Sequence, residues 1–303
     1  MAGELVVVTG ANSGLGLETA RKLAARSPDT TVILACRNPE RAEAARLSIE
    51  STTGNARVRT MPLDLSSMDS VRRFAARFTA EALGPIDALV CNAGISRGSA
   101  PTVDGLDPVF ETNHLGSFLL TLSLLGAMAP AGRVIAVSSD MHQPPGPKLA
   151  WPGTEALVHP PRGLSARGLR YSWSKLCNLY FVYELSRRLR ANGSGIVAAA
   201  FNPGLMTETN FATIPTPLAS IMKRVFASRV GALESSSAAL TELAASRDSA
   251  AIEGLYFDRN ASRPRRSSEL SYDLGNAGEL WQLSARLANI DLPGTGLPGR
   301  LAS

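Results

Sequence analysis

Leu5-Val6-Val7-Val8-Thr9-Gly10-Ala11-Asn12-Ser13-Gly14-Leu15-Gly16 decides how the rest of this chain is read. A short apolar run rich in β-branched residues is the pattern of a strand covered on both faces. It feeds directly into a glycine-rich turn and then a helical pattern. Strand, glycine turn and helix N-terminus together present backbone N–H groups and a favourable dipole to a phosphate. Gly10 permits the tight turn, Gly14 lets the backbone approach a pyrophosphate, and Gly16 allows close helix packing. Asn12, Ser13 and Leu15 belong to the same cofactor-binding turn.

Outward from that turn the pattern repeats. A second strand, 31–35, ends at Cys36-Arg37-Asn38, about 20 residues beyond the glycines, where an NAD-binding unit presents a carboxylate to the ribose hydroxyls. No acid stands there. Arg37 offers a planar cation suited to a ribose 2′-phosphate, so the cofactor expected is NADP(H). Further strands at 58–61, 86–90, 133–137, 196–201 and 254–257 alternate with helices at 39–52, 66–83, 108–128, 171–191, 231–246 and 277–288. Regular alternation with short connections predicts an α/β fold, a single-domain Rossmann-type doubly wound parallel sheet of about seven strands with helices on both faces. The catalytic domain is expected over 1–292, followed by a loose tail over 293–303 that carries Pro-Gly twice.

In such a sheet the ligand lies at the C-terminal ends of the strands, and chemistry-bearing residues cluster there. Asp64 and Leu65 open the third helix; Asp64 either contacts an adenine amino group or caps that helix. Cys91-Asn92-Ala93-Gly94 follows the fourth strand, and its small residues leave room for a flat ring or a ribose. Asn113 and Gly116 interrupt an otherwise apolar helix, which calls for a reason beyond local propensity; Asn113 would work through a local kink and its water. His114 reads as a packed imidazole. Ser139 ends the fifth strand as an anchor for a substrate oxygen. Pro203, Gly204 and Thr207, after the sixth strand, would pack on a nicotinamide ring.

Tyr171-Ser172-Trp173-Ser174-Lys175 sets a phenol and an ammonium on one face of a helix. A tyrosine titrates near about 10, so it exchanges protons near neutral pH only where a cation stabilises its phenolate. Lys175 is placed to be that cation. Between Ser139 and Tyr171, the segment 140–170 is rich in Pro, Gly and Arg and reads as a flap beside the site. The apolar stretch 205–230 reads equally as a substrate lid or as core.

With 303 residues, 45% of them hydrophobic, the chain can bury a large core. The net charge of +5 is carried almost wholly by scattered arginines, and aromatics make up only 6%, against a nucleic-acid binder. Cys36, Cys91 and Cys177 show no metal-ligand spacing and read as reduced core thiols, and no metal is expected. The longest apolar stretch, 116–130, is too short to span a bilayer, and a strand beginning at Leu5 leaves no room for a leader; a soluble, cytoplasmic protein is expected.

Taken in order, TGxxxGxG at 9–16, CNAG at 91–94, NHLG at 113–116, VSS at 137–139, YxxxK at 171–175 and PG at 203–204 resemble the short-chain dehydrogenase/reductase family over roughly residues 5–290. LACRN at 34–38, SKLCN at 174–178 and LW at 280–281 look most like retinol dehydrogenases and light-dependent protochlorophyllide reductases, two groups that prefer NADP(H). The resemblance implies Tyr171 as general acid, Lys175 lowering its pKa and binding the nicotinamide ribose, Ser139 on the substrate oxygen, and Asn113 holding a water. It implies a carbonyl reductase or alcohol dehydrogenase acting on a fairly large apolar or aromatic small molecule, and a homodimer or homotetramer paired through the helices bearing Asn113 and Tyr171. Two departures stand out: Leu205 replaces the cysteine of protochlorophyllide reductases, and the N-terminal anchor of membrane retinol dehydrogenases is missing. Reduction of a conjugated C=C bond and a non-catalytic NADP(H) sensor or scaffold are the alternatives.

Overall fold

The computed structural model describes residues 3–144, 148–160, 164–204, 232–246, 248, 250–259, 263–292 and 296–297. The opening run forms β1 (Leu5–Thr9), every residue of it buried. It is followed by α1 (Gly14–Arg26), β2 (Thr31–Cys36), α2 (Pro39–Thr53), β3 (Val58–Pro62), α3 (Met68–Ala80) and β4 (Ile86–Cys91). A helical run then begins with the short α4 (Pro108–Phe110), passes through a π-helix at Glu111–Leu115, and continues as α5 (Gly116–Leu124) into β5 (Met128–Val137). Beyond it lie α6 (Thr154–Val158), α7 (Leu164–Ala191), β6 (Val197–Asn202), α8 (Leu233–Ala244), β7 (Tyr256–Asp258), β8 (Pro264–Arg265) and α9 (Leu274–Leu287).

The sheet runs β3-β2-β1-β4-β5-β6-β7-β8. All pairs are parallel except β7 with β8. The expected seven strands are therefore present, and the eighth is a two-residue antiparallel addition. Strand order reverses between β1 and β4, which opens a crevice at their C-terminal ends. Alternating β1 side chains feed two cores: Leu5 and Val7 pack toward α3, α5, α7 and α9, and Val6 and Val8 toward α1, α2 and α8.

Three expectations shift. Segment 140–170 is less irregular than its composition suggests, because it contains α6 and the first turns of α7, which starts seven residues before Tyr171. In the tail, Gly296 takes a positive φ of 69° and Leu297 is buried in the main core, so these two residues are packed rather than loose. The outer faces of α5 and α7 are covered by α9 of the same chain: Trp281 meets Phe118 edge-on at 5.0 Å and stacks on Phe181 at 6.2 Å. The apolar stretch 205–230, read as lid or core, lies outside the described residues.

Candidate active site

The C-terminal ends of β1 and β4 are laced together by one side chain. Thr9 Oγ1 accepts from the backbone N–H of Asn92 and of Ala93, each at 3.0 Å, while Asn92 Nδ2 donates to the Thr9 carbonyl at 2.9 Å. Glycine is needed where these turns meet. Gly10 has φ +66°, and a Cβ on it would lie 3.0 Å from Ala93. A Cβ on Gly16 would lie 2.6 Å from the Gly10 carbonyl oxygen, so α1 packs against the turn only because that residue has no side chain. Gly14 also takes a positive φ, of 53°. Ser13 stands at the N-cap of α1 without a side-chain cap bond, and Leu15 is buried in the first turn. Asn12, half-buried, completes the bend.

This cradle fits a dinucleotide. Amides at the start of a thirteen-residue helix, with no acidic residue in its first turn, favour a phosphate, and the glycines remove the side chains that would fill the space. Arg37 is exposed immediately beyond β2. Asp64 Oδ1 accepts from the Ser66 N–H at 3.0 Å and its hydroxyl at 2.6 Å, so this carboxylate holds the turn before α3, while Ser67 caps the helix itself. Leu65 is buried, and a Cβ on Gly116 would stand 2.9 Å from its side chain, which is the packing reason for a glycine at the head of α5.

Across the crevice the four expected catalytic residues come together. The Ser139 side chain faces the Tyr171 hydroxyl and acts to lower its pKa. Lys175, one helical turn on, places its Nζ 5.5 Å from the centre of the Tyr171 ring and donates to the Val137 carbonyl at 2.9 Å. Asn113 lies in the π-helix, where the added residue widens the turn and re-aims the side chain. Its Oδ1 accepts from the Ile95 N–H at 2.7 Å, and its Nδ2 donates to the Ile95 carbonyl and to Ser174 Oγ, both at 2.9 Å. These bonds tie the Asn113 side chain to the loop after β4 and to α7. Gly94 completes the contact, since a Cβ there would stand 2.9 Å from Asn113 Oδ1 and 3.6 Å from Lys175 Nζ.

Burial dominates the electrostatics. Desolvation raises the Tyr171 pKa to about 12, against a smaller lowering by the Ser139 bond, and lowers that of Lys175 to about 8. Lys175 is not among the groups that shift Tyr171 here, and its ammonium is directed to the Val137 carbonyl.

Pro203 and Gly204 are buried at the end of β6, with the Pro203 carbonyl accepting from Ser236 Oγ at 2.8 Å and Gly204 at φ +77°. Thr207 lies outside the described residues. Several supporting residues escaped the sequence reading. Asn202 Oδ1 accepts from Gly204 N–H at 2.9 Å and Asp140 N–H at 3.2 Å, joining the β5 and β6 ends. Ser138 Oγ donates to the Lys175 carbonyl at 2.8 Å, and Asn178 Nδ2 shares the Val137 carbonyl with Lys175 at 3.1 Å. A polar residue buried in an apolar run, as Asn178 is in α7, was the available signal. His114 is buried as expected, 2.8 Å from Ser284 Oγ, and desolvation lowers its pKa to about 3. The three cysteines are free and buried. Among the described residues, no group of three or more His, Cys, Asp or Glu is arranged to hold a metal, and no helix is long and apolar enough to cross a membrane.

Known proteins resemble this chain in sequence and in fold. Residues 4–151 match the family model described as short chain dehydrogenase. The chain is 38% identical to the WW domain-containing oxidoreductase of Danio rerio over 295 residues, covering 95% of this chain and 69% of that protein. It is 36% identical to human retinol dehydrogenase 13 over 299 residues, covering 96% and 86%. A crystal structure of an uncharacterized protein from Mycobacterium paratuberculosis, 34% identical, superposes with a TM-score of 0.69 over 96% of both chains.

Proposed function

This chain belongs to the short-chain dehydrogenase/reductase family, in its retinol dehydrogenase-like group, and we propose that within it the protein is an NADP(H)-dependent carbonyl reductase or alcohol dehydrogenase for a fairly large apolar or aromatic substrate. The observation that carries the reading is the pairing of Ser139 with Tyr171 at the strand-end crevice, with Lys175 one turn along. Gly10, Gly14, Gly16 and the α1 N-terminus would hold the pyrophosphate, Asn92, Ala93 and Gly94 the ribose side, Pro203 and Gly204 the nicotinamide face, and Arg37 a 2′-phosphate. When bound, the nicotinamide supplies the hydride.

The residues of the chain handle the proton. At neutral pH a tyrosine whose pKa stands near 12 is a phenol, so Tyr171 holds the proton that a carbonyl oxygen requires on becoming an alcohol. Ser139 sits on the same oxygen position and donates a second hydrogen bond as negative charge develops there. The buried Lys175 ammonium, fixed by its bond to Val137 beside the Tyr171 ring, would bind the nicotinamide ribose.

The test is NADPH consumption across a panel of apolar aldehydes and ketones. Tyr171→Phe should lower kcat by about 10²–10⁴-fold, the contribution of a positioned acid, without weakening NADPH binding. Full turnover in that variant would remove Tyr171 from the acid role.

A further inference from the structure

We propose that His142, in its neutral Nδ1–H form, is a positioning residue that sets Ser139 against Tyr171. His142 lies three residues past Ser139, in a 3-10 turn, and is 4% exposed. Its Nδ1 stands 2.6 Å from the Ser139 carbonyl oxygen, which also accepts from the His142 backbone N–H at 3.1 Å. Its Nε2 stands 3.1 Å from the backbone nitrogen of Ser268.

These two partners fix the tautomer. A carbonyl oxygen only accepts, so Nδ1 carries the hydrogen; a backbone N–H only donates, so Nε2 is bare. An imidazolium would carry a hydrogen on Nε2 as well, facing another donor, and the Ser268 bond would be lost. The ring is held edge-on to Tyr256 at 5.4 Å. Among the described residues, the titratable and charged groups around it include Asp140 on its own turn and Tyr256 on β7, with Tyr183 and the Asp258–Arg265 pair acting on Tyr256 from beyond.

The far end of the link is what gives it a consequence. Residues 267–270 are also bonded to α7: the Tyr183 hydroxyl meets Ser267 Oγ at 2.7 Å, and the Tyr180 hydroxyl donates to the Leu270 carbonyl at 2.7 Å. The same segment therefore grips the helix that bears Tyr171 and, through His142, the turn that bears Ser139. Segment, ring and helix close a loop around the Ser139–Tyr171 pair, and this inference rests on the role given to those two residues above.

The experiment uses the full chain. In wild type, ¹⁵N NMR of labelled histidine should show His142 neutral with the hydrogen on Nδ1, a result independent of any variant's folding; an Nε2–H tautomer overturns the proposal. His142→Asn keeps a donor near Ser139 but loses the acceptor for Ser268. It should lower kcat about ten-fold or more, as small misplacements at a reacting centre do, with KM for NADPH little changed. Ser139→Ala separates the failures. Lost turnover there with wild-type turnover in His142→Asn overturns this inference alone, whereas full turnover in Ser139→Ala overturns the functional reading and the inference with it.

Discussion

Glu111 shows at the scale of one residue how burial, rather than a neighbouring charge, sets the ionisation of this site. It is fully buried in the π-helix two residues before Asn113. Desolvation raises its pKa from 4.5 to about 8, with Asp104 and Asp64 pushing in the same direction and Thr102 opposing. Between those two values the folded chain binds more protons than the unfolded one, so the contribution to stability falls as pH rises through that window. Glu111→Gln removes the penalty of ionising a buried acid, and thermal melts should show the variant gaining on wild type by a few kcal/mol between about pH 5 and pH 9. A constant gap across that range would place the carboxyl in contact with water. Tyr171 and Lys175 obey the same rule, which is why their pairing was legible in the sequence while the direction of the tyrosine shift was not: spacing puts two groups on one face, but only packing tells how dry that face is.

At the scale of elements, the strands and their order could be read because each β-branched run ends in a turn of small residues, and that pattern repeats with every β-α unit. The asparagine and glycine inside the apolar helix were a correct warning. Their reason is the π-helix and the close approach of Leu65. The start of α7 was hidden by Pro and Gly upstream, and the ties between elements were hidden because they join residues far apart in the chain. Asp107 is the clearest of them. Its Oδ1 accepts from the N–H of Val109 and Phe110 at 3.0 and 2.9 Å, capping the run that leads to Asn113, while its Oδ2 accepts from Arg170 at 3.0 Å, next to Tyr171. The cap is local, from an aspartate before a proline, whereas the ion pair joins residues 63 positions apart. Asp107→Ala loses both and strands Arg170, which is only one-fifth exposed, so urea unfolding should report a loss of about 2–4 kcal/mol. Asp107→Asn keeps the cap acceptor and should lose less. Equal losses in the two variants would mean that the cap contributes nothing.

For the whole molecule, the question is which surfaces remain for another copy of the chain. The resemblance implied pairing through the helices bearing Asn113 and Tyr171, yet α9 lies across them. Its Trp281 is buried between Phe118 and Phe181, with the Arg188 guanidinium 4.6 Å from its ring, and Ser284 meets His114 from the same helix face. Leu280 and Leu283 are buried beside it. A second copy could reach α5 and α7 only by displacing this helix and uncovering its aromatic cluster, at a cost no ordinary helix contact repays. Light scattering at micromolar concentration should therefore return the mass of one chain. Trp281→Ala should lose about 3–5 kcal/mol of stability and, by loosening α9 from Phe118 and Phe181, raise the apparent mass with concentration. A wild-type dimer that withstands dilution, and whose interface protects α7 from hydrogen exchange, would show that α9 gives way to the partner and that the family's helix pairing is kept.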